Sequence, residues 1–238
     1  FIRRALADSI IYQSKFTETW WNQVYGEVNK QSEVIINGVN TGVFKPEKQH
    51  QKLEGRINIS VVEGSFLGGH ERDLMNAIDF AGTLSKRTKI PVEISIAGKI
   101  PPETQFNIDT PEGVVIVWLG EISKSEVIAC NQKAHLFFSA EINAPCPNSV
   151  LEALACGLPV VSYRTGSLPE LVRSGAGELV EYGADYWKLA KPDAESLAKA
   201  SMQVLHQLEK YRECARSSAE QNFNVNKMLD HYYQILLH

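Results

Sequence analysis

The residues best placed to do chemistry lie in segment 141–161, where an irregular stretch leads into a short helix and then a strand. Pro147 has no amide donor, and Asn148 or Ser149 is predicted to cap the helix, with Glu152 near its first turn. A helix start offers free N–H groups and a positive dipole end, which suit a phosphate, while a carboxylate beside it suits ribose hydroxyls. Many α/β crossovers share this spacing, so the spacing alone leaves an anion site and a plain crossover both open.

A glycine-rich loop at residues 63–69 is the second segment that could hold a phosphate. It follows a buried strand predicted at 57–62 and precedes a helix predicted at 71–86, in which apolar residues recur at helical spacing. The loop lacks Gly-x-Gly-x-x-Gly spacing, which argues against a dinucleotide. Ligands usually bind where such a loop closes a βα unit, so we favour a backbone approach to phosphate over a plain turn.

Further strands alternate with helices along the rest of the chain. They are predicted at residues 91–98, 113–120, 134–139, 158–163 and 178–182. This alternation predicts an α/β fold, with a Rossmann-like doubly wound parallel sheet. Lys99 follows the first of these strands and is a candidate phosphate contact, with a solvated lysine as the alternative. The polar residues 101–112 are predicted as a loop, and the last helices are expected from Pro192 to residue 221 and at 227–237.

Composition is that of an ordinary globular protein. Of 238 residues, 44% are hydrophobic and 22% charged, and the formal net charge is −4. A negative balance argues against a phosphate-backbone binder, so no nucleic-acid partner is expected. No apolar run approaches the ~18 residues that would suggest a membrane span. Four scattered cysteines without Cys-x-x-Cys spacing predict free thiols in a reducing compartment and make a metal site improbable.

Two stretches carry a specific resemblance. Pro-Asn-Ser-Val-Leu-Glu-Ala-Leu-Ala-Cys-Gly-Leu-Pro-Val-Val at 147–161, followed by Thr-Gly-Ser-Leu-Pro-Glu-Leu-Val at 165–172, resembles the donor-binding signature of glycosyltransferase family four, whose members have the GT-B fold. The resemblance implies the C-terminal half of a GT-B glycosyltransferase. Such an enzyme transfers a sugar from a nucleotide diphosphate sugar to an acceptor with retention of configuration and without a metal or other cofactor.

The resemblance also implies a domain organisation. Residues 1–36 look like the last β-α-β of the family's N-terminal acceptor domain, and the familiar Asn-Gly-Val connector follows them. Residues 37–220 would form the donor-binding domain, after a polar linker or loop at 47–55, and residues 221–238 a helix that packs back on the N-terminal remnant. Most of the acceptor domain would lie outside this chain. The fragment alone is expected to bind nucleotide but to transfer little or nothing.

Donor-site residues follow from the resemblance position by position. Backbone at the exit of the strand at 113–120 would hold the nucleobase, and Glu152 would accept ribose hydroxyls. The turn and helix start at 164–170 would lie beside the sugar diphosphate. The full set of predicted donor-binding residues is Gly64, Ser65, Gly68, Gly69, Lys99, Gly120, Glu121, Ile122, Asn148, Ser149, Val150, Leu151 and Glu152.

A first catalytic carboxylate is harder to place. Family members often have two glutamates eight positions apart, but Ala144 stands eight positions before Glu152. Glu141, eleven positions before Glu152, is the nearest carboxylate. The spacing leaves open whether Glu141 serves or whether this role is vacant.

The glycine-rich loop departs from the family pattern, which has Gly-Arg and then Lys-Gly a few residues on. Ser65 stands at the position of the Arg, and His70, Glu71 and Arg72 stand near that of the Lys. Arg72 is a candidate substitute, because a guanidinium grips phosphate well. Loss of two cations from a diphosphate site would cost much transition-state stabilisation. The alternative function is therefore a non-catalytic nucleotide-binding or scaffolding module; an epimerase or a dehydrogenase fits the residues less well.

Partners and setting are expected by analogy with the family. They are a nucleotide sugar, an acceptor glycan or lipid-linked sugar bound through the missing N-terminal domain, and peripheral membrane association through that same domain. The setting would be cytoplasmic assembly of a cell-surface polysaccharide. The sequence names neither the base, the sugar nor the acceptor.

Overall fold

The computed structural model describes residues 2–47, 52–173 and 175–237. These residues form two parallel sheets, one of two strands and one of six. In chain order the strands are β1 (Ser9–Tyr12), β2 (Gln31–Val34), β3 (Ile57–Ser65), β4 (Val92–Lys99), β5 (Val114–Gly120), β6 (Leu136–Phe138), β7 (Val160–Tyr163) and β8 (Gly177–Val180). The helices are α1 (Ile2–Ala5), α2 (Lys15–Tyr25), α3 (Glu71–Thr88), α4 (Pro102–Phe106), α5 (Lys124–Lys133), α6 (Asn148–Ala155), α7 (Leu168–Leu171), α8 (Ala194–His206), α9 (Leu208–Asn222) and α10 (Val225–Leu236).

The larger sheet has the order β5-β4-β3-β6-β7-β8 and is parallel throughout. The chain enters at β3, winds outward to β5, then crosses to β6 and winds outward in the other direction to β8. This confirms the predicted Rossmann-like doubly wound sheet. The direction reverses between β3 and β6, which pair at Ile59 with Leu136. In such folds ligands bind beyond the carboxyl ends of the strands at this switch point.

Apolar cores cover both faces of the sheet, as the nearly continuous apolar strands require. On one face, α3 packs against β4 and β5 and α8 against β7 and β8, and the rings of Phe80 in α3 and Phe138 in β6 lie 5.2 Å apart between centroids. On the other face, α6 and α9 pack together through residues such as Leu151, Leu154 and Ala215. Burying each large aliphatic side chain contributes about 1.5–3 kcal/mol, so both layers hold the strand ends rigidly.

The N-terminal segment contacts the main sheet domain through the start of α2. The amides of Lys15 and Phe16 donate to the two carboxylate oxygens of Glu170, each at 2.8 Å. The Ser14 hydroxyl, which caps α2, also donates to the carbonyl of Pro145 at 2.6 Å. These bonds tie residues 14–16 to the loop before α6 and to α7.

The C-terminal helix lies against the segment that connects β2 to the main domain. The amide of Gly38 donates to Met228 Sδ at 3.1 Å, and Val39 forms a parallel bridge with Asn224. The domain boundaries at 36 and 220 stay predictions.

Several predicted boundaries are wrong. β3 extends to Ser65, so the glycine-rich loop begins inside a strand, and the loop predicted at 101–112 contains α4, because Pro102 suits a first helical turn. Gln207, outside the helical region at φ −120°, separates α8 from α9. α10 begins earlier than predicted because Asn224 caps it. Residues 48–51 of the predicted linker, and residue 174 near the end of the helix predicted from Glu170, lie outside the described residues.

Candidate donor-binding site

Four glycines lie at or just beyond the carboxyl ends of β3 and β5 and open onto free space; we call this group the glycine cradle. They are Gly64, Gly68, Gly69 and Gly120. A Cβ added at any of them would meet no atom within 4 Å. Gly68, Gly69 and Gly120 also have positive φ values of 70°, 108° and 65°, which only glycine adopts readily. The backbone is therefore bare toward open space where a ligand would lie.

Ser65 and Lys99 lie together at the end of β3 and β4. They are paired in register after a bulge in β3, and the Lys99 carbonyl accepts the amide of Phe66 at 2.9 Å. The Ser65 hydroxyl accepts the amide of Leu67 at 3.2 Å, so this side chain shapes the turn. The Lys99 side chain is exposed. Both residues lie beside the glycine cradle, and their roles toward a phosphate stay predictions.

The start of α3 holds a His–Asp pair that was not predicted from the sequence. His70 precedes α3, and its Nδ1 lies 2.9 Å from Oδ2 of Asp73. Burial raises the pKa of Asp73 to about 6, although the hydrogen bond to His70 opposes the shift. That same bond raises the pKa of His70 above its usual 6.5. A charge that changes near neutral pH therefore lies at the edge of the glycine cradle.

Glu63 is a site residue that sequence reasoning missed. Its Oε1 accepts the amides of Ala140 and Glu141 at 3.1 and 3.3 Å, so it ties the end of β3 to the loop after β6. Burial, together with the nearby charge of Glu141, raises the pKa of Glu63 to about 7. The sequence feature that could have indicated a role for Glu63 is its place as a lone carboxylate at the end of the mostly apolar run Ile-Asn-Ile-Ser-Val-Val-Glu.

The structure brings Glu141 close to the glycine cradle. Among the described residues, Arg72 makes no hydrogen bond to Glu141 or to the His70–Asp73 pair. Burial raises the pKa of Glu141, and the positive charge of His70 opposes the shift, so the carboxylate faces the α3 start across the switch point. Arg72 is exposed on α3, and its charge acts on the Tyr182 hydroxyl. The catalytic roles predicted for Glu141 and Arg72 stay predictions.

The start of α6 differs from the prediction in its cap. Pro147 occupies the cap position, with no side-chain cap bond, and Asn148 and Ser149 are already helical. The prediction failed because the Asn148 amide oxygen is used elsewhere, as acceptor for Asn37 Nδ2 at 2.9 Å. Val150 and Leu151 are fully buried, and the amide of Val150 donates to the carbonyl of Pro147 at 3.2 Å. The amides of Asn148 and Ser149, in the first turn of α6, are the groups left for a ligand at this helix start.

Glu152 lies one turn further along α6, facing the start of α5. Burial raises its pKa, and the positive charge of Lys124 opposes the shift. Lys124 begins α5 directly after the exit of β5, where Gly120, Glu121 and Ile122 lie. Glu152 and the predicted base-binding backbone therefore flank the same corner.

The turn at 165–168 packs directly on the loop after β6. The amide of Ser167 donates to the carbonyl of Ala144 at 3.0 Å, and a Cβ on Gly166 would lie 2.7 Å from the Ala144 backbone. Nearby, the hydroxyls of Ser139 and Ser167 and the amide oxygen of Asn143 are buried, and they make no hydrogen bond within the described residues.

Two further observations bound the chemistry. In the described part of the chain, no three His, Cys, Asp or Glu side chains are grouped so that they could hold a metal ion. No described helix is long and apolar enough to cross a membrane.

An open edge of a doubly wound sheet, lined by bare glycine backbone and a helix start, defines a phosphate-binding class of α/β protein. The family model of "Glycosyl transferases group 1" matches residues 69–221, and the chain belongs to this family. The fold matches the Rossmann-like C-terminal domain of GT-B glycosyltransferases, which confirms the predicted GT-B glycosyltransferase and the predicted fold. Membership of family four stays a prediction.

Individual relatives are more distant. The chain is 33% identical over 90 residues to the N-acetyl-alpha-D-glucosaminyl L-malate synthase of Bacillus anthracis, covering 36% of this chain and 21% of that protein. It is 22% identical over 237 residues to a probable sucrose-phosphate synthase of Thermosipho melanesiensis, covering 93% and 54%. The chain thus spans about half, or less, of these curated relatives. The structure of Anabaena HepE in complex with UDP-glucose superposes with a TM-score of 0.73, at 16% identity, over 99% of this chain and 65% of HepE.

Proposed function

We propose that this chain is the donor-binding part of a retaining glycosyltransferase of family four, which transfers a sugar from a nucleotide diphosphate sugar to an acceptor. The observation that supports this most directly is the glycine cradle opposite the start of α6, at the switch point of the sheet. Bare glycine backbone and the amides of Asn148 and Ser149 at the start of α6 are the groups that would contact a diphosphate.

The remaining parts of a donor fit around this centre. The nucleobase would contact the backbone of Gly120, Glu121 and Ile122, and Glu152 would accept the ribose hydroxyls. Glu141 lies near the glycine cradle, where the transferred sugar would follow the diphosphate. We expect no cofactor, since backbone dipoles would offset the charge on the leaving group. Retention rests on the family resemblance, as do the acceptor glycan or lipid-linked sugar and the cytoplasmic setting.

The first experiment is calorimetric titration of the chain with UDP, GDP and ADP. HepE was crystallised with UDP-glucose, which makes UDP the first nucleotide to try. We expect micromolar binding of one nucleotide. Glu152→Ala should weaken it about tenfold, the effect of losing one hydrogen bond to a charged group. Glu213→Ala, an exposed carboxylate on α9, is the matched control and should change nothing. Absence of binding by all three nucleotides at millimolar concentration would contradict the proposal.

A second candidate function is a nucleotide-binding or scaffolding module without transfer activity. It is favoured by the residues around the glycine cradle, where Ser65 replaces a cation and three carboxylates, Glu63, Asp73 and Glu141, gather. The test is a panel of donor sugars offered to a longer protein that also contains an acceptor domain. Slow hydrolysis of one donor supports the transferase, and binding without any turnover supports the module.

A further inference from the structure

We propose that His70, held by Asp73, is the group that neutralises the donor diphosphate in this chain, so that donor binding requires the imidazolium form. The inference rests on the proposed function, because it assigns a charge to the same donor site. It replaces a permanent cation with one whose charge depends on pH.

The geometry holds the His70 ring in place and leaves one nitrogen free. Nδ1 lies 2.9 Å from Oδ2 of Asp73, whose side chain is only 6% exposed, while the His70 side chain is 46% exposed. Nε2 makes no hydrogen bond within the described residues. The ring directly follows Gly69, whose added Cβ would meet open space. A protonated ring therefore has a donor N–H available on the side away from its buried partner.

Four carboxylates act on this ring from three elements. Asp73 and Glu71 belong to α3, Glu63 to β3, and Glu141 to the loop after β6. The hydrogen bond that the His70 ring makes to Asp73 is the largest cause of the raised pKa of His70. The charges of Glu141 and Glu63 raise this pKa further, and partial burial of the ring lowers it. The carboxylates thus favour the imidazolium before any ligand arrives.

The other cations near the loop are not fixed in this way. Arg72 and Lys99 are both exposed, and neither has an ion pair among the described residues. Ordering a long, free side chain around a ligand costs conformational entropy that the already positioned imidazole does not lose. His70 is therefore the cation best prepared to meet an anion at the glycine cradle.

A diphosphate beside His70 would raise the pKa of the imidazole further, because the opposite charge favours the protonated form. Binding would then take up a proton, and affinity would fall as pH rises through the pKa of free His70. The measurement belongs between pH 7 and 9, where UDP itself is already fully ionised, since a terminal phosphate titrates near pH ~6.

The test combines calorimetry with UDP and NMR titration of the His70 ring. Wild type should bind UDP about tenfold more weakly at pH 9 than at pH 7, the effect of losing one charge-assisted hydrogen bond. His70→Gln should bind UDP about tenfold more weakly than wild type at pH 7, and its affinity should fall less between pH 7 and 9, the remaining fall coming from ionisation of Glu63. His70→Lys should bind at both pH values. His206→Gln, an exposed histidine at the end of α8, should behave as wild type. Saturating UDP should raise the NMR-observed pKa of His70.

The outcomes separate the two proposals. If wild type binds no UDP, GDP or ADP at millimolar concentration, the proposed function fails. If UDP binds but His70→Gln binds as tightly as wild type, and UDP leaves the pKa of His70 unchanged, the inference about His70 is overturned while the donor site stands. Circular dichroism of each variant separates lost binding from lost folding.

Discussion

The glycine cradle and the turn around Gly166 lie on the same edge of the sheet, but an added side chain would meet opposite surroundings there. At Gly68 a Cβ would meet no atom within 4 Å, whereas at Gly166 it would lie 2.7 Å from backbone atoms of Asn143 and Ala144. The second region closely resembles its family and is packed against a loop. The first departs from the family, is open, and is surrounded by carboxylates. The turn around Gly166 is therefore tightly packed, whereas the glycine cradle is loosely packed and surrounded by carboxylates.

The largest expected effect comes from making the same substitution in both regions. Gly166→Ala should lower the free energy of unfolding by about 3 kcal/mol or more, because the backbone that the new Cβ would meet cannot move aside and φ is +56°. Gly68→Ala should cost only about 1–2 kcal/mol, the strain of a left-handed alanine. Urea denaturation of both variants measures the difference. Equal losses would show that the two regions are packed alike.

How much of this comparison the sequence could predict differs between the two regions. α3 was predicted within two residues at its end, because apolar residues recur at helical spacing over its whole length. The crossover at 147–163 was predicted because its apolar run and its glycine leave few alternatives. The residue that caps α6 was predicted wrongly, because the Asn148 side chain bonds to Asn37, which is 111 residues away in the chain.

Long-range contacts also explain why the charges at the glycine cradle escaped prediction. Glu63 bonds to amides 77 and 78 positions further along, across the β3–β6 pairing that only the strand order creates. The sequence shows a carboxylate in an apolar strand but not which loop satisfies it. Glu141 likewise could be named as the nearest carboxylate, but its approach to His70 depends on the same strand order.

The next effect concerns the charge of Glu63. Its pKa is about 7 in the folded protein, against 4.5 without the surrounding structure, so the folded state keeps a proton that the unfolded state has released between these pH values. Stability should therefore fall as pH rises from about 5 to 7.5. Glu63→Gln keeps the oxygen that accepts the two amides but cannot ionise. Over this pH range its free energy of unfolding should fall by about 1–3 kcal/mol less than that of wild type.

Urea denaturation at several pH values measures how the free energy of unfolding of wild type and of Glu63→Gln changes with pH. Asp73, with a pKa of about 6, contributes in the same direction in both proteins. Glu63→Ala should be less stable than Glu63→Gln at every pH, because the amides of Ala140 and Glu141 lose their acceptor. Parallel slopes for wild type and Glu63→Gln would mean that Glu63 is not the titrating group.

The smallest effect tests whether the packed region also holds the N-terminal segment. Glu170 accepts the amides of Lys15 and Phe16 and is placed at the positive end of α2. Glu170→Ala should weaken the start of α2 by about 1 kcal/mol, the usual cost of losing a helix cap, and Glu170→Gln should lose less because one acceptor remains. Hydrogen exchange at these two amides measures the change directly, with about fivefold faster exchange expected in Glu170→Ala. Glu213→Ala is the control, since its carboxylate is exposed on α9. Unchanged exchange in Glu170→Ala would mean that Ser14, through its own cap and its bond to Pro145, suffices to hold the segment.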